Sequence, residues 1–435
     1  MTAPEPETHR EMLLHALKRR GIVKDYTDKA DVHLEQGPTA IYCGFDPTAD
    51  SLQLGNLIPI MQLRRLQEHG HRPIIVVGGG TAMIGDPSGK SAERPMADPE
   101  AVARRAEKFE QQFGKFLDFS GKSNAAIMVN NASWLKEMNV VDFMWEVGKR
   151  LSAKRIVGLD SIKARWERDE EGISLAEFVY TALQAYDFAH LYRTYNCTVQ
   201  CGGSDQYGNI ALGTELIRKM INGAQVFGVT FPLIADRRGV KLGKTADEQT
   251  IWLDPAMTSP FFLRQYLLQT GDEDAKSWLR YLTLLPDQEI AEIAAEHDRA
   301  PERRLAQAKL ADEVTQFIHG REAADKARRQ GAVLFSDKPG DAQAGDLRDL
   351  AGEPGLAVRG TKASRIVDLV VAARLASSKR EARDFLKDGG IYWNGEKLRE
   401  DGPIEALPTI HGSFAILRRG SRNVKLVVVE GLGEG

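Results

Sequence analysis

The run Ile41-Tyr42-Cys43-Gly44-Phe45-Asp46-Pro47-Thr48-Ala49-Asp50-Ser51-Leu52-Gln53-Leu54-Gly55-Asn56 decides how the rest of the chain is read. Its first residues form a short apolar run suited to a buried strand. Gly44 and Asp46-Pro47 break that run, and Leu54, Leu57 and Ile60 then resume at helical spacing. A strand, a turn and a helix start follow one another. Such a junction sets backbone N–H groups and the positive end of a helix dipole beside the carboxyl end of a strand, where open α/β sheets take nucleotides. Read alone, the pattern also suits a plain connection.

Working outward, Pro73 to Val77 is a β-branched run ending in Gly78-Gly79-Gly80, and beyond it lies Ala82-Met-Ile-Gly-Asp-Pro-Ser-Gly-Lys-Ser91. That tail is not a P-loop, because only three residues separate Gly85 from Gly89-Lys90 where the loop needs four. Its lysine, with Arg94 four residues on, can still approach a phosphate. Ala126 to Asn130 reads as another strand, and the helical stretch after it carries Trp134, Phe143 and Trp145, expected in the core. Ser174 and Glu177 form a capping box opening a helix over 174–192, on which Tyr180, Gln184 and Asp187 share one face. That face suits either solvent or a pocket wall. Val199 to Asn209 (Val-Gln-Cys-Gly-Gly-Ser-Asp-Gln-Tyr-Gly-Asn) joins a strand to a helix expected from near Ile210. Its paired glycines allow close backbone approach, and Asp205 can accept from ribose hydroxyls. Asp236 to Thr245 (Asp-Arg-Arg-Gly-Val-Lys-Leu-Gly-Lys-Thr) is a basic, glycine-punctuated loop that in isolation reads as surface.

At 435 residues the chain has room for roughly three domains. Its 42% apolar and 27% charged residues match a soluble globular protein, and no apolar run reaches membrane-spanning length. The stretch 1–20 carries Glu5, Glu7 and Glu11 and lacks the apolar core of an export signal, so a cytoplasmic location is expected. Cys43, Cys197 and Cys201 fit reduced thiols rather than a disulfide framework or a zinc site. Net charge is −3, yet Thr361 to Lys425 holds 13 Lys and Arg against 8 Asp and Glu, leaving that segment at +5 and the remainder at −8. A basic tail is compatible with a phosphate backbone as partner, as well as with a solvated face. The pattern divides the chain into an α/β unit over 1–250, an all-helical domain over 251–335, a Pro/Gly linker over 336–356 and an α+β module over 357–435. In the last, helices are expected at Ser364–Ala376 and Lys379–Lys387, with a hairpin turn at Asn394-Gly395.

Taken together, these segments resemble the bacterial tyrosyl-tRNA synthetases along essentially the whole chain. The resemblance rests on Gly44-Phe45-Asp46-Pro47-Thr48 leading into Leu54-Gly55-Asn56, on Gln200 to Asn209, and on Lys241-Leu242-Gly243-Lys244-Thr245, with Tyr180, Gln184 and Asp187 between. It implies a Rossmann-like, class I catalytic domain with a parallel sheet, a helical anticodon-binding domain, a C-terminal RNA-binding module and a homodimer. The partners implied are tyrosine, ATP with Mg2+, and tyrosine tRNA.

By the same resemblance Tyr42 and Asp187 would hold the phenolic hydroxyl of tyrosine, Asp86, Tyr180 and Gln184 its ammonium group, and Gln206 its carboxylate. Cys43, Gly44, Asp46, Gly55, Asn56, Gly203, Asp205 and Lys244 would contact ATP, with Cys43 and Asp205 at the ribose. Lys241, Lys244, Thr245, Thr48, Gln53, Asn56, Lys90 and Arg94 would serve the phosphates during reaction. No protein nucleophile is implied; alignment and positive charge at the departing pyrophosphate are what the chemistry requires. The chain departs from the family in having Gln53 where His is usual, an amide that cannot become cationic, and Leu-Gly between its two lysines. Two other readings stand beside this one: a tryptophanyl-tRNA synthetase, and a noncatalytic RNA-binding paralogue that keeps the fold. A dehydrogenase is excluded, since no Gly-x-Gly-x-x-Gly follows the first strand.

Overall fold

The computed structural model describes residues 12–88, 98–167, 173–237, 239, 241–245, 249–336, 339–420 and 423–430. Lys90 and Arg94 lie outside the described residues. The chain forms two compact units, Met1–Thr258 with Thr270–Leu310, and Ser259–Gln269 with Ala311–Gly435.

The first unit is built on a sheet of β1 (Asp25–Tyr26), β2 (Ala40–Phe45), β3 (Arg72–Val77), β4 (Ile127–Asn130), β5 (Cys197–Gly203) and β6 (Phe227–Phe231), in the order β1-β6-β5-β2-β3-β4. All neighbours pair parallel except β1 with β6. Strands buried on both faces need continuous apolar runs rather than alternation. Ile74, Ile75 and Val77 meet that need, each fully buried. The chain steps outward from β2 through β3 to β4, then crosses back to lay β5 and β6 on the other side of β2. This reversal opens a crevice beyond the carboxyl ends of β2 and β5.

After β2 the chain makes a 3-10 turn over Leu54–Asn56 and enters the helix Leu57–Glu68. The helical spacing predicted from Leu54 onward is therefore met by two elements in sequence. Leu54, Leu57 and Ile60 are fully buried, each such burial stabilising by about 1.5–3 kcal/mol. The helix Leu175–Tyr195 is capped by Ser174, whose hydroxyl accepts from the Glu177 amide (3.3 Å), and its last residue lies three beyond the expected end, followed by Asn196 in the left-handed region. The helix after β5 starts at Tyr207 rather than Ile210, because a 3-10 turn over Ser204–Gln206 leads straight into it. Trp134 is buried, but the expectation that Trp145 is core is overturned: it lies 63% exposed, with Val140 (72%) and Val141 (71%) beside it.

The second unit contains the helices Pro260–Leu268, Arg321–Phe335 and Ala344–Gly352 and a second sheet. That sheet is ordered β7 (Ala357–Thr361), β11 (Asn423–Glu430), β10 (Phe414–Arg419), β8 (Ile391–Trp393), β9 (Glu396–Leu398). Both faces are covered, and the strand period of two sorts the side chains between them. Ala415, Leu417, Val427 and Val429 join the helices Ile366–Ala372 and Lys379–Lys387 in one cluster. Phe414, Ile416 and Leu426 join Phe261, Leu334, Leu347 and Leu350 in another. The first of those helices is shorter than expected, ending where Arg374 turns to φ 56. At the β8–β9 turn Asn394 and Gly395 have φ of 49 and 90, as a two-residue hairpin loop requires.

Candidate active site

A cleft of about 470 Å³ opens at the reversal between β2 and β5. Tyr42, Cys43, Gly44, Asp46 and Thr48 reach it from β2 and its loop, and Gln53, Gly55 and Asn56 from the following turn. Tyr180, Gln184 and Asp187 enter from the 175–195 helix, Gly203, Asp205 and Gln206 from the end of β5, and Asp86, Lys241 and Lys244 from loops. The expected residues thus come together from five distant parts of the chain. Thr245 is the exception among those described. It does not line the cleft but closes the base of the lysine loop, its amide donating to the Gln249 carbonyl (2.9 Å) and its hydroxyl accepting from the Gln249 amide (3.0 Å).

The deep end is polar yet shielded from water. Asp187 is 3% exposed, with Oδ1 accepting from Trp134 Nε1 (2.7 Å) and Oδ2 from Asn131 Nδ2 (3.0 Å). Burial pushes its carboxyl up to about 7 against the pull of those two donors. Beside it the Tyr42 hydroxyl is buried and, among the described residues, has no hydrogen-bond partner. Burial, reinforced by Asp187, raises the Tyr42 phenol well above its ordinary value, so it is a neutral donor. An orphaned hydroxyl inside a protein costs about 1–3 kcal/mol, a penalty that a ligand hydroxyl at this point would remove.

Nearer the mouth, Asp46 accepts from Tyr180 Oη (2.9 Å) and from Thr81 Oγ1 (2.8 Å). Thr81 in turn accepts from Asn131 Nδ2 (3.0 Å), so one chain of hydrogen bonds runs from the strand-turn junction to Asp187. On the opposite wall Gln206 Nε2 donates to Asp86 (2.8 Å), Gln184 Nε2 donates to Gln206 Oε1 (3.1 Å), and Asn209 Nδ2 bridges to Gln184 Oε1 (3.0 Å). This wall carries carboxylates and amide oxygens, the complement of an ammonium group. Asp205 is raised chiefly by burial and then by Asp86, with Lys241 opposing.

The lysine loop is held against the turn that follows β2. Leu242 donates to Ile234 O (2.9 Å), Ile251 donates to Gly243 O (2.8 Å), and Leu54 donates to Ile251 O (2.9 Å). Gly243 sits at φ +88, and a Cβ there would lie 3.1 Å from the Gly55 amide nitrogen, so no other residue fits without strain. Lys244 Nζ donates to Thr250 Oγ1 (2.8 Å). Two lysines and the amino end of a helix therefore face the outer cleft, a setting for anionic phosphates. Gln53 stands at the same rim, its backbone N–H donating to Asn56 Oδ1 (2.9 Å).

Sequence reasoning passed over Asn131, which follows β4 at the carboxyl edge of the sheet, a position that by itself marks a residue able to reach the cleft. It placed Trp134 in the core without its role as a donor to Asp187. Among the described residues no group of three or more His, Cys, Asp or Glu side chains is arranged to hold a metal.

Comparison with known proteins identifies the family. Residues 34–336 match the family model of tRNA synthetases class I (W and Y), and residues 350–427 that of the Tyrosine--tRNA ligase SYY-like C-terminal domain. The chain is 42% identical over 420 residues to Tyrosine--tRNA ligase 1 of Bacillus subtilis, spanning 95% of this chain and 99% of the relative. It is 43% identical over 420 residues to Tyrosine--tRNA ligase of Dechloromonas aromatica, spanning 95% and 98%. Among solved structures, a C-terminally truncated mitochondrial tyrosyl-tRNA synthetase of Aspergillus nidulans superposes with a TM-score of 0.67 at 29% identity, covering 76% of this chain and 96% of that one.

Proposed function

The chain belongs to the class I tRNA synthetases, within the tyrosine–tRNA ligases, and joins tyrosine to tRNA; from that premise we propose how the cleft divides the work. Tyr42 and Asp187 take the substrate's phenolic hydroxyl at the closed end, the first donating to it and the second accepting from it. The observation that carries this assignment is the buried Tyr42 hydroxyl without a partner, next to a buried carboxylate. Phenylalanine would leave the Tyr42 hydroxyl unsatisfied and offer Asp187 no donor, and tryptophan offers an indole N–H where Tyr42 needs an acceptor.

Asp86, Tyr180 and Gln184 hold the ammonium group and Gln206 orients the carboxylate toward the outer cleft. ATP, the substrate of the class, sets its ribose on Cys43 and Asp205 and its phosphates among Thr48, Gln53, Gly55, Asn56, Lys241 and Lys244, with Lys90 and Arg94 assigned there from their sequence positions. The tyrosine carboxylate attacks the α-phosphate, pyrophosphate leaves, and the terminal ribose hydroxyl of the tRNA then displaces AMP. The protein's contribution is alignment, with positive charge where the leaving group becomes more anionic. Gln53 offers a neutral amide donor at its position, which leaves charge neutralisation to the lysines. Magnesium, when bound, neutralises phosphate charge. Asp46 and Asp86 already accept from Tyr180, Thr81 and Gln206, which supports a Mg2+ carried by ATP over one caged by the protein.

The tRNA backbone is met by the second unit, where Arg374, Lys379, Arg380, Arg383 and Lys387 are all exposed. The exposed apolar strip Val140, Val141, Met144 and Trp145 supports a homodimer, since a second copy would cover a surface that water otherwise meets. A cytoplasmic location fits the three free thiols. The test is amino acid-dependent ATP–pyrophosphate exchange. Tyrosine is expected to support it and tryptophan and phenylalanine to fail; exchange driven equally by tryptophan would refute the assignment of Tyr42 and Asp187.

A further inference from the structure

Two thiols stand side by side in the nucleotide half of the cleft. Cys43 on β2 and Cys201 on β5 are register partners in adjacent parallel strands, so their Cα atoms are about 4.8 Å apart and their side chains leave the same face of the sheet. Both line the cleft, and Cys43 stands close enough to Cys201 to help raise its thiol above the ordinary range. A Cα separation of this size falls within the range that a disulfide spans. Cys197, the remaining cysteine, is fully buried and absent from the cleft wall.

We propose that Cys43 and Cys201 form an oxidisable pair that peroxide converts to a disulfide, closing the ATP site reversibly. The proposal rests on the assignment of the ribose to Cys43. In the first step the Cys43 thiolate attacks one peroxide oxygen, the O–O bond breaks, and Cys43 becomes a sulfenic acid while hydroxide leaves and is protonated to water. In the second, the Cys201 sulfur attacks the Cys43 sulfur, the S–O bond breaks, and the departing hydroxide takes the Cys201 proton as a second water. Two thiols lose two electrons and two protons, and hydrogen peroxide is reduced to two waters. Burial, together with the neighbouring Cys43 thiol, raises the Cys201 thiol well above the ordinary range, which disfavours it as the sulfur that meets peroxide first. Bridging draws Cys43 sideways onto β5 and removes its thiol as a ribose contact. Because neighbouring parallel strands are a constrained setting for a disulfide, the bond is readily reduced again.

The experiment treats the full chain with hydrogen peroxide, blocks residual thiols, and follows both peptide mass and tyrosine-dependent pyrophosphate exchange. A cross-linked peptide pair containing Cys43 and Cys201, about 2 Da lighter than the two thiol peptides, is expected, with exchange reduced by about tenfold or more and restored by dithiothreitol. ATP present during the treatment is expected to slow the cross-link. Cys201→Ser and Cys201→Ala both keep exchange before treatment and give no cross-link after it; two variants are used so that misfolding of one does not decide the matter. Peroxide treatment that leaves both thiols free, with exchange intact, overturns the proposal. So does a cross-link that forms without loss of exchange. A chain inactive in exchange before any peroxide is added would refute the functional assignment instead, and the mass measurement would still report on the thiol pair.

Discussion

Replacing Tyr42 by Phe is expected to move stability and tyrosine affinity in opposite directions. The Tyr42 side chain is 2% exposed and its hydroxyl has no partner among the described residues. The free enzyme therefore bears an unsatisfied buried donor costing about 1–3 kcal/mol, and Tyr42→Phe removes the donor while keeping the ring against Phe188. Unliganded stability should rise or hold, by up to that amount. In the complex the same hydroxyl donates to the substrate phenol, a hydrogen bond with a net contribution of about 0.5–1.5 kcal/mol, so its loss weakens tyrosine binding by about 2- to 12-fold. Phenylalanine never made that bond, and its binding should not worsen. Urea unfolding of the free protein gives the first quantity, and the KM for tyrosine and phenylalanine in pyrophosphate exchange gives the second. A variant that is destabilised by more than about 1 kcal/mol, or whose KM for tyrosine is unchanged, would refute the reasoning, because the hydroxyl would then have a partner in the free protein and none in the complex.

The remaining expectations concern charge. Because the folded state raises the Asp187 carboxyl to about 7, folding retains its proton better than the unfolded chain does. Its contribution to stability is present below about pH 4 and is lost as pH rises through 7, on the order of 4 kcal/mol at most; urea midpoints at pH 5 and 8 for the parent and for Asp187→Asn should show a smaller fall in the variant. Over the same window tyrosine affinity should strengthen as Asp187 becomes an acceptor, by up to about tenfold per pH unit below 7, and a flat KM–pH profile would contradict this. Lys244→Ala should lower the adenylation rate with little change in the equilibrium affinity for tyrosine, measured by stopped-flow and by equilibrium dialysis; an unchanged rate would remove Lys244 from the reaction. Arg380→Ala with Arg383→Ala should weaken tRNA charging, and flatten its dependence on salt, while leaving pyrophosphate exchange intact; equal loss of both activities would make those residues structural.

Four of the six strands were legible: Ile41 to Phe45 and Pro73 to Val77 are apolar runs that stop at Asp-Pro or glycine, Ala126 to Asn130 is a shorter one, and Val199 to Gly203 runs into paired glycines, whereas β1 and β6 were not read. Helix starts marked by chemistry were also legible: Ser174 appears as the cap it was read to be, and Asn394-Gly395 adopts the two positive φ values its composition predicts. Helix ends were not: Asn196 and Arg374 take the left-handed conformation in place of the usual glycine, their amides donating to the Tyr192 (3.0 Å) and Val371 (2.9 Å) carbonyls of their own helices. The polar lining was readable in part. Tyr180, Gln184 and Asp187 announced a shared helical face, but whether it met water or a cavity depended on strands distant in sequence. Asn131 and Trp134 were opaque for a related reason, because their roles come from the Asp187 carboxylate, more than fifty positions away. Trp145 shows the converse: an aromatic residue among apolar neighbours reads as core even when it lies on the surface.

The central claim is that one cleft orients tyrosine by its phenol at the closed end and ATP across the glycine-built junctions at the open end. A crystal structure of the full chain with a non-hydrolysable tyrosyl-adenylate analogue tests it most directly. The phenolic oxygen should lie about 3 Å from both Tyr42 Oη and an Asp187 carboxylate oxygen, with the ribose at Cys43 and Asp205 and the phosphate mimic facing the Lys241–Lys244 loop. An analogue bound with its ring away from Asp187, or with its adenosine outside the crevice between β2 and β5, would contradict the account.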